Sequence, residues 1–139
     1  MIFGATGGRD QSKRPIMGQV VSQIANIALI TADDTRNENI KDINRQIISG
    51  IRPSKSFPIS HNLSLNQITK SIKSHPKKFI YFDIPDRQSA FNLAIKIAQP
   101  NDIIVACGKG HEKTILHGQT EYPWSEAEAF RTAFKLRQT

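Results

Sequence analysis

Three short stretches of this chain gather the residue types that can do chemistry. The first is Phe3-Gly4-Ala5-Thr6-Gly7-Gly8-Arg9-Asp10, followed by Lys13 and Arg14 just before Pro15. Its glycines permit positive φ or let backbone amides approach a ligand. Two cations at the start of a helix oppose the helix dipole. They read either as a solvated pair or as the holders of an anion, such as a nucleotide phosphate or an acyl phosphate. The second stretch is Thr31-Ala32-Asp33-Asp34-Thr35-Arg36-Asn37-Glu38. Its Asp, Thr and Asn side chains suit helix capping. Arg36 carries a planar guanidinium matched to a carboxylate, and Arg9 can reach the same space; the alternative is that both arginines pair with nearby aspartates. The third is Gly108-Lys109-Gly110-His111-Glu112. This turn offers carbonyls to an ammonium, with Glu112 as a carboxylate partner. His111 reads either as a proton-carrying group or as a hydrogen-bonded structural histidine. Together the loops offer arginines for a carboxylate and a carbonyl-plus-glutamate pocket for an amine, which describes an amino-acid site.

The elements that must position these loops follow from hydropathy patterning. β-Branched runs at residues 1–4, 27–31, 79–84 and 102–107 read as strands. Helical periodicity recurs from Pro15 (Ile16, Val20, Val21, Ile24), through Ile40, Ile43 and Ile47, weakly through Leu65, Ile68 and Ile72, and after an Asp86 cap through Phe91, Ala94, Ile95 and Ala98. Gly50 is expected to end its helix in a left-handed cap, and residues 52–64 read as a polar loop. A short strand at residues 114–117, a turn at Gly118 and a last helix capped by Ser125 and stapled by Trp124 complete the chain. Strands alternating with helices predict an α/β fold, a mainly parallel sheet with helices on both faces. Ligands on such sheets bind at the carboxyl ends of strands, which is where all three loops fall.

Composition narrows the function classes. The chain has 139 residues, 38% hydrophobic and 22% charged, which suits one globular domain. No apolar run has the roughly 18–20 residues that span a bilayer, so no membrane association is expected. The sole cysteine, Cys107, excludes an internal disulfide, fits a reducing cytoplasm and reads as a core residue of its strand. The histidines and Cys107 lack ligand spacing, so no metal site is expected in the chain. No G-x-x-x-x-G-K-[ST] loop occurs, so the chain is not expected to cradle ATP phosphates by itself. The net charge of +7 invites an anionic partner. Arg52, Lys55, Lys70, Lys73, Lys77 and Lys78 read as a solvated face, and without interleaved aromatics nucleic acid is not the expected partner.

The three loops, in this order, resemble the C-terminal domain of Mur ligases, nearest to the UDP-N-acetylmuramoyl-tripeptide synthetase branch. FGATGGRDQSKRPIM (Phe3 to Met17) is similar to that branch's FGxGGxRDxxKRPxM, ADDTR (Ala32 to Arg36) falls where the family has DNPR, and GKGHE (Gly108 to Glu112) matches outright. Asp86-Arg87 with Ala90 resembles its DRxxAI segment. The resemblance implies a Rossmann-like substrate domain spanning residues 1–139, the last third of a cytoplasmic ligase. Its N-terminal and central ATP-binding domains, with ATP and Mg2+, lie mainly outside this chain, so the chain alone is expected to be inactive.

In the family, the amino group of an incoming residue attacks an ATP-derived acyl phosphate on UDP-MurNAc-L-Ala-D-Glu, building peptidoglycan. By resemblance, Arg9 and Arg36 hold the distal carboxylate of meso-diaminopimelate, with Asp34 in the place of the family asparagine. Gly108 carbonyl and Glu112 hold its distal amino group. Lys13, Arg14 and His111 lie toward the phosphates. Asp34 and Thr35 depart from the family pattern: either Asp34 pairs with Arg36, or the substrate presents an amine there, with L-lysine the second substrate to consider. The alternative reading of the whole chain is a stand-alone amino-acid-binding module or a separately encoded subunit.

Overall fold

The structure, a computed structural model, describes residues 1–138. Four parallel strands, β1 (Ile2–Phe3), β2 (Ile27–Ile30), β3 (Ser56–Pro58) and β4 (Phe79–Asp83), form a sheet in the order β1-β2-β4-β3. Alternation along the strands divides the core in two. Phe3, Ala28, Ile30 and Phe79 meet helices α1 (Lys13–Ile24) and α2 (Ile40–Ile48) on one face. Ile2, Leu29, Ile80 and Phe82 meet α3 (Leu65–Ser74), α4 (Arg87–Ile97) and α5 (Glu126–Gln138) on the other. The mainly parallel sheet covered on both faces is thus the observed architecture.

The capping residues read from the sequence act as expected at two helices. Asp86 accepts from Ser89 N–H at 2.7 Å, and Ser125 Oγ accepts from Glu128 N–H at 3.3 Å. Trp124 lies edge-on to Phe91 and donates to Glu126 at 3.1 Å, fixing the entry to α5.

Several elements differ from the reading. Residues 52–64 are not all loop: a 3-10 turn (Pro53–Lys55) leads into β3, whose three residues pair with Phe79, Ile80 and Tyr81. With Pro58 at its end and Phe57 its one large apolar side chain, β3 carries too little pattern to read. Gly50 does not adopt positive φ. Its role is close approach, since a Cβ there would lie 1.8 Å from Pro15 O, where α2 ends against the start of α1. Residues 102–107 do not form a full strand either. They run beside β1 through Ile2 N–H to Val105 O (2.8 Å) and Cys107 N–H to Ile2 O (2.9 Å). At this edge Ile104 and Ala106 face the α4/α5 core, while Cys107 is exposed, correcting its assignment to the core. The strand at β5 (Thr114–His117) is joined by an antiparallel partner, β6 (Thr120–Pro123), across the Gly118 turn.

Candidate functional site

The edge segment 102–107, β1 and β2 are neighbours, so the loops that follow them emerge side by side at one end of the sheet. The first loop is moulded onto the second. A Cβ at Gly4 would stand 2.1 Å from Thr31 O and one at Gly7 1.9 Å from Thr35 O, so only glycine permits the approach. Gly7 N–H donates to Asp34 O at 2.7 Å and Gly8 N–H to Glu38 Oε1 at 2.6 Å. These two amides therefore bind the second loop and are not turned to a ligand.

Arg14, read as a holder of an anion or as one of a solvated pair, is instead engaged inside the domain. Its side chain is wholly buried, with Nη1 and Nη2 donating to the two Glu38 carboxylate oxygens at 2.7 and 2.9 Å and further bonds to Gln46 and Thr6 O. The cation opposing the α1 dipole is thus neutralised by Glu38 from the second loop. The side chains of Lys13 and His111 are exposed and make no hydrogen bond or ion pair among the described residues.

The Arg14 and Gly8 hydrogen bonds hold the Glu38 carboxyl at about 2, well below its ordinary 4.5. A depressed carboxylate pKa favours the folded state above the unfolded value, and this contribution disappears as pH falls toward the folded one. The urea midpoint should therefore decline between about pH 5 and pH 2, and Glu38→Gln should flatten that decline. An equally steep decline in the variant would remove this assignment.

The third loop supplies the residue the sequence reading left without a role. Lys109 is 1% exposed, and its Nζ donates to Asp34 Oδ1 at 2.7 Å and to Glu112 Oε2 at 2.5 Å, with Asp33 at 3.9 Å. Burial opposes its charge, but the Asp34 and Glu112 bonds outweigh this and raise its pKa. For Asp34, burial likewise opposes ionisation, while the Lys109 bond, the Leu116 N–H at 2.9 Å and the nearby Arg36 hold its carboxyl below the usual range. Asp33 goes the other way: burial raises it despite the Asp34 N–H, Lys109 and Arg87. The signal in the sequence was a lysine between two glycines, facing a pair of aspartates one loop away.

Asp34 is thus committed to Lys109 and the β5 backbone, and reaches Arg36 only through space. Arg36 takes φ 50°, packs its Cδ 3.3 Å from where a Gly8 Cβ would be, and leaves its Nε buried without a partner. Arg9, exposed, makes no ion pair among the described residues. Among the described residues neither arginine forms an ion pair with an aspartate, although Arg36 acts on Asp34 through space. Gly108, at φ 119°, lies so close to Asp33 that a Cβ would be 2.7 Å from Oδ2; its carbonyl accepts no hydrogen bond among the described residues. Glu112 keeps nearly half of its side chain accessible.

Arg87, quoted in a motif but given no role, ties the site to the core. It is 2% exposed and donates to Ala32 O and Cys107 O, both at 2.9 Å, and to Glu126 Oε1 at 2.5 Å. One guanidinium thereby holds the starts of the second and third loops against α5.

Residues 1–110 match the family model described as Mur ligase, glutamate ligase domain. The chain belongs to the Mur ligase family. A UDP-N-acetylmuramoyl-L-alanyl-D-glutamate--2,6-diaminopimelate ligase of Lawsonia intracellularis is 32% identical over 130 residues, covering 94% of this chain and 22% of that protein. The ligase of the same name from Caldanaerobacter subterraneus is 35% identical over 128 residues, covering 92% and 22%. A UDP-N-acetylmuramyl-tripeptide synthetase of Roseiflexus sp. is 32% identical over 132 residues, covering 95% and 22%. A solved UDP-N-acetylmuramoyl-L-alanyl-D-glutamate--2,6-diaminopimelate ligase superposes with a TM-score of 0.76 at 26% identity, covering 99% of this chain and 24% of its own. The chain therefore spans under a quarter of the length of these Mur ligases. Among the described residues no helix is long and apolar enough to cross a membrane.

Proposed function

We propose that this Mur ligase domain holds the diamino acid that a longer cytoplasmic ligase joins to UDP-MurNAc-L-Ala-D-Glu in peptidoglycan synthesis, with meso-diaminopimelate favoured over L-lysine. The observation that carries this reading is the division of charge at the loop cluster. Arg36 and Arg9 are cations that form no ion pair among the described residues, and the Gly108 carbonyl and half-accessible Glu112, one of whose oxygens is bonded to Lys109, are acceptors from the third loop. A guanidinium pair suits the distal carboxylate, and an acceptor pair suits the distal ammonium. Lys109 neutralises Asp34, so the carboxylate standing where the family has asparagine does not repel the substrate carboxylate. Holding the distal end leaves the other amino group free to attack the acyl phosphate of the precursor, forming the amide and releasing phosphate. Fixing both distal charges lowers the entropic cost of that attack.

The chain is a poor seat for a triphosphate: the Gly7 and Gly8 amides are taken and Arg14 is paired with Glu38. ATP and Mg2+ belong to the N-terminal and central domains in this reading, with Lys13 and His111 at the margin. The chain incubated with ATP, UDP-MurNAc-L-Ala-D-Glu and diaminopimelate should release no ADP, and the chain joined to the remaining ligase domains should. Robust ADP release by the 139 residues alone would sink the assignment of a domain that depends on the others.

A further inference from the structure

Lys109 is engaged beyond what neutralising Asp34 requires. A lysine rarely lies fully buried unless its ammonium is paired, and this one turns inward between Gly108 and Gly110, both at positive φ (119° and 46°). Its Nζ spans two loops, donating to Asp34 Oδ1 of the second at 2.7 Å and to Glu112 Oε2 of its own at 2.5 Å. The main chain closes the same turn, because Glu112 N–H donates to Lys109 O at 2.8 Å. Glu112 is therefore tied through backbone and side chain to a single residue. Asp34 Oδ1 also accepts from Leu116 N–H, so the ammonium links the third loop to the second and, through Asp34, to β5.

A half-exposed glutamate on a surface loop ordinarily samples several rotamers, and ordering it weakens whatever it binds. Here the Lys109 bond orders it before any ligand arrives. Oε2 is held, and Oε1 has no partner among the described residues. Asp33 stands 3.9 Å from Nζ, so three carboxylates surround one ammonium. The cluster keeps an excess of negative charge, which a second ammonium on Oε1 offsets and a neutral group does not. We infer that Lys109 is a positioning residue that makes this site selective for a substrate with a distal ammonium, by fixing Glu112 with one oxygen open. The inference rests on the diamino-acid reading and names the group that gives the ammonium half of the site its preference.

The test separates the two bonds of Lys109. Asp34→Asn is the common background, because an asparagine there can still accept from Leu116 N–H and strands no carboxylate at that position when the lysine is removed. Titration calorimetry of the chain in that background uses two ligands: meso-diaminopimelate, and 2-aminopimelate, which keeps both carboxylates and lacks the distal amine. Lys109→Met should cut the ratio of their affinities at least about 5-fold, by weakening diaminopimelate, with aminopimelate changed by no more than about 2-fold. Without ligand, the Glu112 amide should exchange with deuterium at least about 10-fold faster in Lys109→Met than in the background alone, as its turn loosens. Lys109→Gln, which retains a donor, is the second variant should methionine prevent folding, and it should lower the ratio in the same direction. Equal losses for both ligands would make Lys109 a structural support only and overturn the inference, as would an unchanged Glu112 exchange rate. A parent chain that binds neither ligand overturns the diamino-acid reading and this inference together. One that binds diaminopimelate, with a ratio insensitive to residue 109, overturns this inference alone.

Discussion

Arg87→Met should be the most damaging single substitution away from the hydrophobic residues, lowering unfolding free energy by about 3–5 kcal/mol. Methionine fills much of the volume but leaves the 8%-exposed Glu126 without its cation, and the Ala32 and Cys107 carbonyls without their donor. A buried carboxylate stripped of its partner costs far more than the pair itself contributes, which is why the variant is worse than a count of lost bonds suggests. Against a typical stability of about 5–15 kcal/mol, the loss would bring the domain near its threshold. Adding Glu126→Gln to Arg87→Met should recover part of it, since the stranded charge is then gone. Urea denaturation of the single and double variants checks both statements, and a double variant no more stable than the single would remove the charge argument. The consequence reaches function, because the same guanidinium fixes the starts of the second and third loops.

Arg36→Ala should raise the KM for meso-diaminopimelate in the complete ligase by roughly 30- to 150-fold, the effect of about 2–3 kcal/mol on removing one partner of a desolvated charge pair. Affinity for L-lysine, which has no second carboxylate, should change little. Arg36 is held ready for this task at a cost: its φ of 50° is a conformation non-glycine residues rarely adopt, and its Nε is buried with no acceptor. The second loop is clasped from both sides, by Gly7 N–H on Asp34 O and by Thr35 N–H on Leu116 O at 2.8 Å. Those contacts hold Arg36 in that backbone state. A uniform loss of affinity for both amino acids would show that Arg36 supports the loop and does not read the carboxylate.

How much of this was legible in the sequence depended on whether the information was local. The strands at β2 and β4, the Asp86 and Ser125 caps and the placing of the loops at strand ends follow from short-range patterning, and the fold bears them out. β3 escaped because its partner, β4, supplies the pairing that its own three residues do not advertise. Residues 102–107 carry an unmistakable β-branched run, yet only Val105 O and Cys107 N–H reach β1, so the ladder is reduced to a bridge. Cys107 is exposed for the same reason, at the rim of the sheet.

The charged residues show the same limit. Arg14 beside Lys13 reads as a solvated pair or an anion holder because its counter-charge, Glu38, lies 24 residues away. Lys109 and Asp34 are 75 residues apart, and Arg87 and Glu126 are 39 apart. Ion pairs of that separation have no local signature; of the residues the motifs selected, Arg9 and Arg36 form no ion pair among the described residues, whereas Asp34 and Glu112 are both bonded to Lys109.

Titration calorimetry of the chain with meso-diaminopimelate, repeated on Arg36→Ala and Glu112→Ala, puts the central claim to the most direct test. The account predicts one site per chain in the parent protein, with binding lost or weakened at least about 30-fold in each variant. Diaminopimelate binding that persists undiminished in both variants would contradict it, and would place the amino acid elsewhere than between Arg36 and Glu112.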